Sequence, residues 1–291
     1  MAVKISTIIP CIKLSPFLEE SIDSIKKQTI QPDEIILWCN GFKPENNHLN
    51  QLLCGTNIKL AISNNLLPMA ESWNQAGKLA QGEYIHFLHD DDWIEPQFYE
   101  HLLKQLRQAP NIGIWFGSSF NRTNESQAPL YTVSFPNSIF PPPSKLGNWI
   151  FCHALSRCVS TVINRQCLYS AGGFDPCLKQ YLDSDLFWRV GCDYGSMTSS
   201  EIVGNYRIHS SSFTGFDIQN SRQPVIEDLR LTSDLKYMLK KYHGTSFFSP
   251  EFLKFYRTTS LGCLRYSLRR GQFRGIFSAL DNLIYLLRFQ Q

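Results

Sequence analysis

Residues 84–92 read Tyr84-Ile85-His86-Phe87-Leu88-His89-Asp90-Asp91-Asp92, a mostly apolar run that leads through a histidine into three adjacent carboxylates. Such a run is typical of a buried strand, and Gly82 just before it favours the end of a preceding helix. Short β-rich runs and helical patterns alternate through the first hundred residues, as in βαβ units around a mostly parallel sheet. The sequence therefore predicts an α/β fold with the acidic residues at the carboxyl end of a strand.

The same alternation predicts the other elements. Strands are expected at 3–9, 34–38, 57–62 and 112–116, and helices at 69–82 and 96–107. Pro10 is expected to stop the first strand, and Ser15 with Pro16 to start the helix after it. Prolines at 129, 136 and 141–143 predict a long loop without regular structure over 121–147, and the remainder from 216 to 291 is predicted to be helical.

The composition limits the classes of protein to which the chain can belong. Its 291 residues are 43% hydrophobic and 18% charged, which fits a globular protein with a sizeable core. A formal net charge of +3 is too small to indicate nucleic-acid binding. Nine cysteines without a C-x-x-C pair predict reduced thiols, and the chain shows neither a cleavage signal nor a run of about 18 apolar residues. We therefore expect a cytoplasmic protein.

The three adjacent carboxylates need an explanation, because like charges repel unless a cation or hydrogen-bond donors offset them. Oxygen ligands suit Mg²⁺ or Mn²⁺, and open α/β sheets bind ligands at the carboxyl ends of their strands. One interpretation of Asp90, Asp91 and Asp92 is therefore a divalent metal site. The other is a solvated acidic turn that caps the helix after it.

Several stretches of the chain together carry a resemblance to a known family. They are Ser6 to Pro10, Asp33-Glu34-Ile35-Ile36, Trp73-Asn74, and the segment from Gly82 through Leu88-His89-Asp90-Asp91-Asp92-Trp93. They resemble the family 2 glycosyltransferases of the GT-A fold, well over about residues 4–110 and more weakly to about 210. The resemblance implies a Rossmann-like sheet flanked by helices, a nucleotide diphosphate sugar as donor, a divalent metal and inverting transfer.

The resemblance assigns the acidic segment to donor and metal binding. In the family, a strand-end motif of D-x-D type holds the metal and the ribose and diphosphate of the donor. His89 stands where many members have the first aspartate, so Asp90 and Asp91 are the predicted donor contacts, together with Pro10. Asp91 and Asp92 are the predicted ligands of Mn²⁺ or Mg²⁺, and a structural role for Asp92 stays open.

A second matching stretch predicts the catalytic base. Gly172-Gly173-Phe174-Asp175 and Asp183-Ser184-Asp185-Leu186-Phe187-Trp188-Arg189 resemble the family's G-G-F-D turn and the start of its E-D-x-D-L-x-x-R helix, although Leu182 replaces the usual glutamate. Asp183 matches the residue that takes the acceptor hydroxyl proton, a step that needs a carboxylate near the anomeric carbon. Capping of the same helix is the alternative role of Asp183. Asp185 is expected to support Arg189 or to act as a first-turn helix charge.

A third stretch, Tyr206-Arg207-Ile208-His209-Ser210, resembles a late family element that closes over the donor phosphates. The family sometimes draws a metal ligand from its histidine. His209 is therefore a predicted ligand and Arg207 a supporting residue, since imidazole can bind a metal or pair with phosphate. A structural role for this lone histidine stays open.

The chain departs from the family where the donor base is recognised. The usual D-D-G-S or D-N-G-S after the second strand is replaced by Cys39-Asn40-Gly41-Phe42. Asn40 is the predicted contact to the base, because its amide both donates and accepts hydrogen bonds. The alternative is that Asn40 and Gly41 form only a turn.

Positive charge is concentrated near the C-terminus. Between 247 and 291, seven basic residues stand against two acidic ones, a local balance of +5. Apolar side chains recur between them at helical spacing, as in helices that lie on an anionic membrane. The alternative is that the apolar face packs on the rest of the chain or on a second subunit, which makes a homodimer an expected partner.

The predicted function is metal-dependent, inverting transfer of a sugar from a nucleotide diphosphate donor, preferably a UDP-sugar, to a hydroxyl of a saccharide or lipid-linked saccharide. Residues 1–110 are expected to bind the donor. Residues 111–215 are expected to bind the acceptor and to supply the catalytic base. Residues 216–291 are expected to form a helical extension that contacts the inner face of the plasma membrane peripherally. Two alternative functions remain open. A sugar nucleotidyltransferase would need a glycine-rich basic loop after the first strand, which this chain lacks, and a donor-binding protein with a decayed site would be non-catalytic.

Overall fold

Ten strands of the described residues join in one sheet, against which helices pack. This computed structural model describes residues 3–44, 49, 53–54, 56–123, 128–143, 157–209, 224–269 and 271–287. The strands are β1 (Ile5–Cys11), β2 (Glu34–Asn40), β3 (Ile58–Ser63), β4 (Tyr84–Phe87), β5 (Trp93–Ile94), β6 (Ile114–Thr123), β7 (Tyr131–Val133), β8 (Ser138–Phe140), β9 (Thr161–Asn164) and β10 (Ser196–Ile208). The helices are α1 (Leu18–Lys26), α2 (Met69–Leu79), α3 (Phe98–Leu106), α4 (Arg165–Ser170), α5 (Leu182–Tyr194), α6 (Pro224–Tyr242), α7 (Pro250–Arg269) and α8 (Phe273–Leu287).

The sheet has a parallel half and a mixed half. Its order is β3-β2-β1-β4-β9-β6-β10-β5, with β7 beside β6 and β8 beside β10. The first four strands of this order are parallel, so their carboxyl ends lie at one edge of the sheet. Beyond them, β9 runs antiparallel to both β4 and β6, while β6 and β10 are parallel. The predicted α/β fold class is confirmed, and the parallel half is the part in which strands and helices alternate in sequence.

The first strand does not stop where the sequence predicted. β1 runs through Pro10 to Cys11. The backbone of Ile8 faces β4, because its carbonyl accepts a hydrogen bond from Leu88 N at 2.9 Å. Pro10 is two residues further along the strand, so its backbone faces the same side. β4 ends at Phe87 on that side, so the missing N–H of Pro10 removes no ladder bond to β4. The prediction that Pro10 ends the strand is therefore wrong.

The helix after β1 also begins later than predicted. α1 begins at Leu18 rather than at Pro16. Ser15 forms a turn ahead of it, because its Oγ accepts from the N–H of Phe17 and its carbonyl from the N–H of Leu18, both at 3.2 Å. Ser15 therefore acts two residues before the N-cap position at Phe17.

The predicted loop over 121–147 is wrong within the described residues. β6 continues to Thr123, and the short strands β7 and β8 pair with β6 and β10. Near Pro136, side chains provide hydrogen-bond partners for backbone groups. Ser118 Oγ accepts from Phe135 N at 2.9 Å, and Thr198 Oγ1 donates to the carbonyl of Pro136 at 2.6 Å. Residues 124–127 and 144–147 of this segment lie outside the described residues.

The C-terminal helices are confirmed as helices, and α6 and α7 contribute to the core. Trp188 of α5 is fully buried, with its ring stacked on Phe252 of α7 at 5.5 Å and edge-on to Tyr242 of α6 at 4.8 Å. This side of the C-terminal segment therefore packs on the rest of the chain, as one of the two interpretations expected. Among the described helices, none combines the length and the apolar character that crossing a bilayer requires.

Candidate active site

A cavity lies where β1, β2 and β4 end. Its volume of about 550 Å³ is typical of sites that bind small molecules. Five of the residues predicted from the sequence line it, namely Pro10, Asn40, Asp90, Asp91 and Asp183. They come from the ends of β1 and β2, the turn after β4 and the first turn of α5. The other predicted residues stand outside the cavity lining, and these are Asp92, Asp185, Arg189, Arg207 and His209.

Asn40 at the end of β2 fixes the cavity wall through its side-chain amide. Its Oδ1 accepts from the N–H of Leu67, and its Nδ2 donates to the carbonyl of Leu67, both at 2.9 Å. Gly41 follows with a φ of +76°, and a Cβ there would lie 2.4 Å from the Cα of Leu66. The close approach therefore requires glycine. A contact between Asn40 and the donor base stays a prediction.

The acidic turn after β4 holds more negative charge than its surroundings offset. Burial and the charge of Asp91 raise the pKa of Asp90 to about 7, and burial raises the pKa of Asp92 well above its usual value. Burial acts in the same direction on Asp91, but the hydrogen bond to Nε2 of His209 at 3.0 Å, the electrostatic effect of His89 and His209 and a backbone hydrogen bond together outweigh it and leave the pKa of Asp91 lowered. A cation beside this turn would allow all three carboxylates to ionise together.

His89 is a candidate ligand that the sequence analysis did not propose. Its ring packs on Trp73 at 5.1 Å between centroids, and burial lowers its pKa, so the imidazole is neutral. Nε2 of His89 and Oδ2 of Asp92 are among the buried side-chain atoms that have no hydrogen-bond partner in the described part of the chain. Potential ligand atoms of His89, Asp91 and Asp92 lie within 4.8 Å of one another. Neutral imidazole and carboxylate are suitable ligands for a divalent metal, so the group fits one.

The end of β10 supports the acidic turn from the other side. The N–H of Arg207 donates to Asp92 Oδ1 at 2.8 Å, and its Nε donates to the carbonyl of Asp91 at 2.7 Å. The guanidinium lies over the rings of Phe17 and Trp93, at 4.4 Å from each centroid. Arg207 therefore holds the turn in place. The last residue of the predicted element, at 210, lies outside the described residues.

Asp183 faces the cavity from the first turn of α5. Its Oδ1 accepts from the N–H of Ser184 at 2.7 Å, and its Oδ2 lies 4.0 Å from Sγ of Cys158. Burial raises the pKa of Asp183, which makes the carboxylate a stronger base. The N-cap of α5 is Tyr181, so Asp183 does not cap this helix.

Asp185 has a different environment from Asp183. It is fully buried, its Oδ2 accepts from Arg189 Nε at 2.9 Å, and its Oδ1 accepts from the hydroxyl of Tyr242. Arg189 in turn donates to the carbonyls of Ala171 and Gly173. Asp185 and Arg189 therefore support the glycine turn and α5, as the first of the two interpretations for Asp185 expected.

Arg157 is a lining residue that sequence reasoning missed. Among the described lining residues it is the sole arginine or lysine. Its guanidinium lies over the ring of Tyr206 at 5.0 Å and donates to the hydroxyl of Tyr131 at 3.1 Å. No motif surrounds Arg157, so the sequence carries no signal for it. His89 did have a signal, because it directly precedes the carboxylates at a strand end.

Comparisons with known proteins show what this chain is similar to. The model of glycosyl transferase family 2 matches residues 6–166. The uncharacterized glycosyltransferase RP339 of Rickettsia prowazekii (strain Madrid E) is 25% identical over 245 residues, which cover 81% of this chain and 75% of that protein. The uncharacterized glycosyltransferase EpsJ of Bacillus subtilis (strain 168) is 28% identical over 124 residues, 41% of this chain and 36% of EpsJ. The match thus spans only about a third of EpsJ.

Two solved structures share the fold across nearly the whole chain. One is S. aureus TarS 1–349 in complex with UDP-GlcNAc, with a TM-score of 0.59 and 13% identity over 96% of this chain and 91% of that one. The other is the mannosyltransferase PcManGT from Pyrobaculum calidifontis in complex with GDP-Man and Mn²⁺, with a TM-score of 0.62 and 14% identity over 98% and 75%. These likenesses confirm the predicted GT-A fold. Since the family model covers more than half of the residues, this chain belongs to glycosyl transferase family 2.

Proposed function

We propose that this chain transfers a sugar from a nucleotide diphosphate donor to a hydroxyl of a saccharide or lipid-linked saccharide, with a divalent metal and with inversion. The observation that carries the proposal is that Asp90, Asp91 and Asp183 line one cavity although they come from distant parts of the sequence. The complexes of TarS with UDP-GlcNAc and of PcManGT with GDP-Man support a nucleotide-sugar donor.

The charges in the cavity support the need for a metal. A diphosphate would enter beside Asp90, Asp91 and Asp183, with Arg157 as the sole arginine or lysine of the described lining. Like charges require a bridging cation. The predicted ligands are Asp91, Asp92 and His209, and we add His89 because of its buried, unpartnered Nε2. A bound metal would offset charge on the departing diphosphate.

The nitrogen ligands bear on the choice of metal. Magnesium is held mainly by oxygen atoms, whereas imidazole suits transition metals better. His89 and His209 therefore favour Mn²⁺ over Mg²⁺ at this site. The presence of Mn²⁺ in the PcManGT complex agrees with this preference.

Asp183 is the proposed catalytic base. Its raised pKa suits a group that takes a proton from the acceptor hydroxyl. Attack by that hydroxyl from the face opposite the departing nucleotide inverts the anomeric centre and requires no covalent intermediate. Within this scheme we infer a UDP-sugar as donor, held near Asn40 and Pro10, and assembly of cell surface polysaccharide as the setting.

Donor binding with and without metal tests the proposal. Isothermal calorimetry with UDP-, GDP-, CDP- and dTDP-sugars should give measurable affinity in Mn²⁺, weaker affinity in Mg²⁺ and little in EDTA. The Asp91→Asn variant should lose most of the gain from Mn²⁺, whereas Asp23→Asn, a half-buried carboxylate on α1 that pairs with Lys26 away from the cavity lining, should bind as the wild type does. Equal affinity in Mn²⁺ and EDTA would contradict the metal assignment.

A further inference from the structure

Helix α8 exposes five of its large apolar side chains. Its buried face consists of Gly275, Ala279, Asn282 and Leu286. The exposed fractions on the opposite face are 74% for Phe273, 69% for Phe277, 40% for Leu280, 55% for Ile284 and 61% for Leu287. These five residues, the α8 stripe, recur at intervals of four and three positions and so lie along one side of the helix. A surface helix packed on a core shows the opposite arrangement, with its large apolar residues facing inward.

Both helices of the hairpin that contains the α8 stripe carry exposed basic side chains. Hydrogen bonds from Gly271 N to Leu268 O at 3.3 Å and from Gln272 N to Ser267 O at 2.9 Å link the end of α7 to the start of α8, and Leu268 is exposed. The exposed basic residues of the two helices are Lys254, Arg257, Arg265, Arg269 and Arg274. Among the described side chains of α7 there is no carboxylate, and the carboxylate of Asp281 on α8 pairs with Lys236 of α6. The exposed surface of this hairpin is therefore apolar and cationic together.

We propose that the hairpin of α7 and α8 lies on the surface of an anionic lipid bilayer, with the α8 stripe at the boundary between headgroups and acyl chains. The combination of large apolar side chains with flanking arginine and lysine is the pattern of helices that lie in the membrane interface. Anionic headgroups complement the basic residues, each of which strengthens association by about fivefold near such a surface. The proposal concerns a surface separate from the cavity, so it does not depend on the transfer reaction.

A second copy of this chain is a weaker match to the same surface. α8 has 15 residues, so the stripe covers only about two heptads, whereas a coiled-coil seam typically needs at least three or four. Pairing two α8 stripes would also bring the basic residues of two copies together without opposing carboxylates from the described side chains of α7. Charge and length therefore both favour a lipid surface.

Sedimentation with vesicles tests the proposal on the full chain. The protein should pellet with vesicles of phosphatidylcholine and phosphatidylglycerol but remain in the supernatant with phosphatidylcholine alone. Raising the salt from about 0.1 M to 1 M shortens the Debye length from about 10 Å to 3 Å and should weaken the binding.

Matched variants separate the apolar and the basic contributions. Phe273→Gln with Phe277→Gln should reduce partitioning by at least about tenfold, because two exposed rings lose their insertion. Leu79→Gln with Leu130→Gln, exposed leucines elsewhere, should bind as the wild type does. Arg265→Gln with Arg269→Gln should weaken binding in low salt, unlike Lys104→Gln with Arg107→Gln, two exposed basic residues at the C-terminal end of α3.

Three outcomes would overturn the proposal. The first is wild-type protein that ignores anionic vesicles at low salt. The second is equal loss of binding in the Phe273/Phe277 and Leu79/Leu130 variants, since that would show no role for the α8 stripe. The third is a wild-type dimer in sedimentation velocity that is absent in the Phe273/Phe277 variant, although the variant binds vesicles as the wild type does. The α8 stripe would then bind a second copy of the chain. Thermal unfolding of each variant confirms that it is folded, which is expected because every substituted side chain is exposed.

Discussion

At the scale of single residues, two carboxylates of the acidic turn that are proposed to bind donor and metal, those of Asp90 and Asp92, lower the stability of the metal-free fold. Burial and Asp91 raise the pKa of Asp90 to about 7, well above the value of about 4 for an unfolded chain. A carboxyl whose pKa is raised in the folded state favours folding only while it is protonated. In metal-free protein, the free energy of unfolding should therefore fall as the pH rises from about 4 to 7.

Asp90→Asn should remove this penalty. At pH 8 in EDTA we expect the variant to be more stable than the wild type by about 1–3 kcal/mol, with the difference vanishing near pH 4. Thermal unfolding between pH 4 and 8 measures it, with Asp23→Asn on α1 as the control. A variant that is less stable than the wild type at pH 8 would show that Asp90 is compensated within the fold. The same variant should bind the donor more weakly, because Asp90 is a predicted donor contact.

Asp183→Asn should separate chemistry from binding. We expect donor affinity within a few-fold of wild type and transfer reduced by about two to four orders of magnitude, the span typical of a lost general base. Its neighbour offers a contrast, because Asp185→Asn leaves Arg189 buried without its charge partner and should lower the free energy of unfolding by about 3–5 kcal/mol. Near-normal turnover of Asp183→Asn would place the base elsewhere.

The sequence predicted those residues that stand in a recognisable pattern. Asp90, Asp91 and Asp183 follow motifs, and the structure brings them to one cavity. Arg157 could not be predicted, because a lone arginine carries no local signal. It stands four residues before β9, whose antiparallel pairing with β6 joins distant parts of the sequence. The atoms left without partners, such as Nε2 of His89, depend on packing and cannot be read from a sequence at all.

At the scale of elements, α6 holds the segment that presents the proposed base. Asp234 of α6 is buried, and its carboxylate accepts from three consecutive backbone N–H groups, those of Lys179, Gln180 and Tyr181, at 2.9, 2.6 and 3.1 Å. These residues directly precede α5, which carries Asp183 in its first turn. The orientation of the base therefore depends on a helix about fifty positions further along the chain.

Asp234→Asn should reduce turnover more than donor binding. All three N–H groups donate to Oδ2, and Lys179 N also reaches Oδ1 at 3.2 Å. An asparagine loses the negative charge that strengthens these bonds, and its NH₂ group in place of Oδ1 cannot accept from Lys179 N. We expect the transfer rate to fall at least about tenfold with donor affinity unchanged, and a loss of stability of about 1–3 kcal/mol. Asp281→Asn on α8, whose carboxylate is at the surface, is the control. If the rate stays at the wild-type value despite the lost stability, Asp234 has only a structural role.

At the scale of elements, the sequence predicted strands and helices correctly where the spacing of apolar residues was regular and the element was long. β1 to β4 and the helices between them follow the simple alternation of a parallel sheet, and only their ends were misplaced, as at Pro10 and Ser15. In the second half of the sheet, the predicted strand at 112–116 overlaps the start of β6 (Ile114–Thr123), but β7, β8 and β9 were not predicted and have only three or four residues each. Strands that short, set among prolines, are defined by their partners rather than by local propensity.

At the scale of the whole molecule, the division of the chain into a donor part, an acceptor part and a helical extension is a hypothesis about function rather than about folding. Trp188, in the proposed acceptor part, packs against both Tyr242 and Phe252 of the extension. A chain cut near Gly244 would lose Phe252 and expose this core. The exposed α8 stripe is therefore better tested by point variants than by truncation.

Phe252→Ala tests whether the extension and the sheet unfold together. Phe252 is fully buried, so its truncation should lower the free energy of unfolding by about 3–5 kcal/mol and the melting temperature by roughly 6–15 °C. Since its partner Trp188 lies in α5, we expect one cooperative transition, with the same midpoint by tryptophan fluorescence and by circular dichroism. Phe277→Ala, an exposed phenylalanine on α8, is the matched control and should leave the midpoint unchanged. Two separate transitions, with only the first shifted by Phe252→Ala, would instead show that 216–291 unfolds as an independent unit.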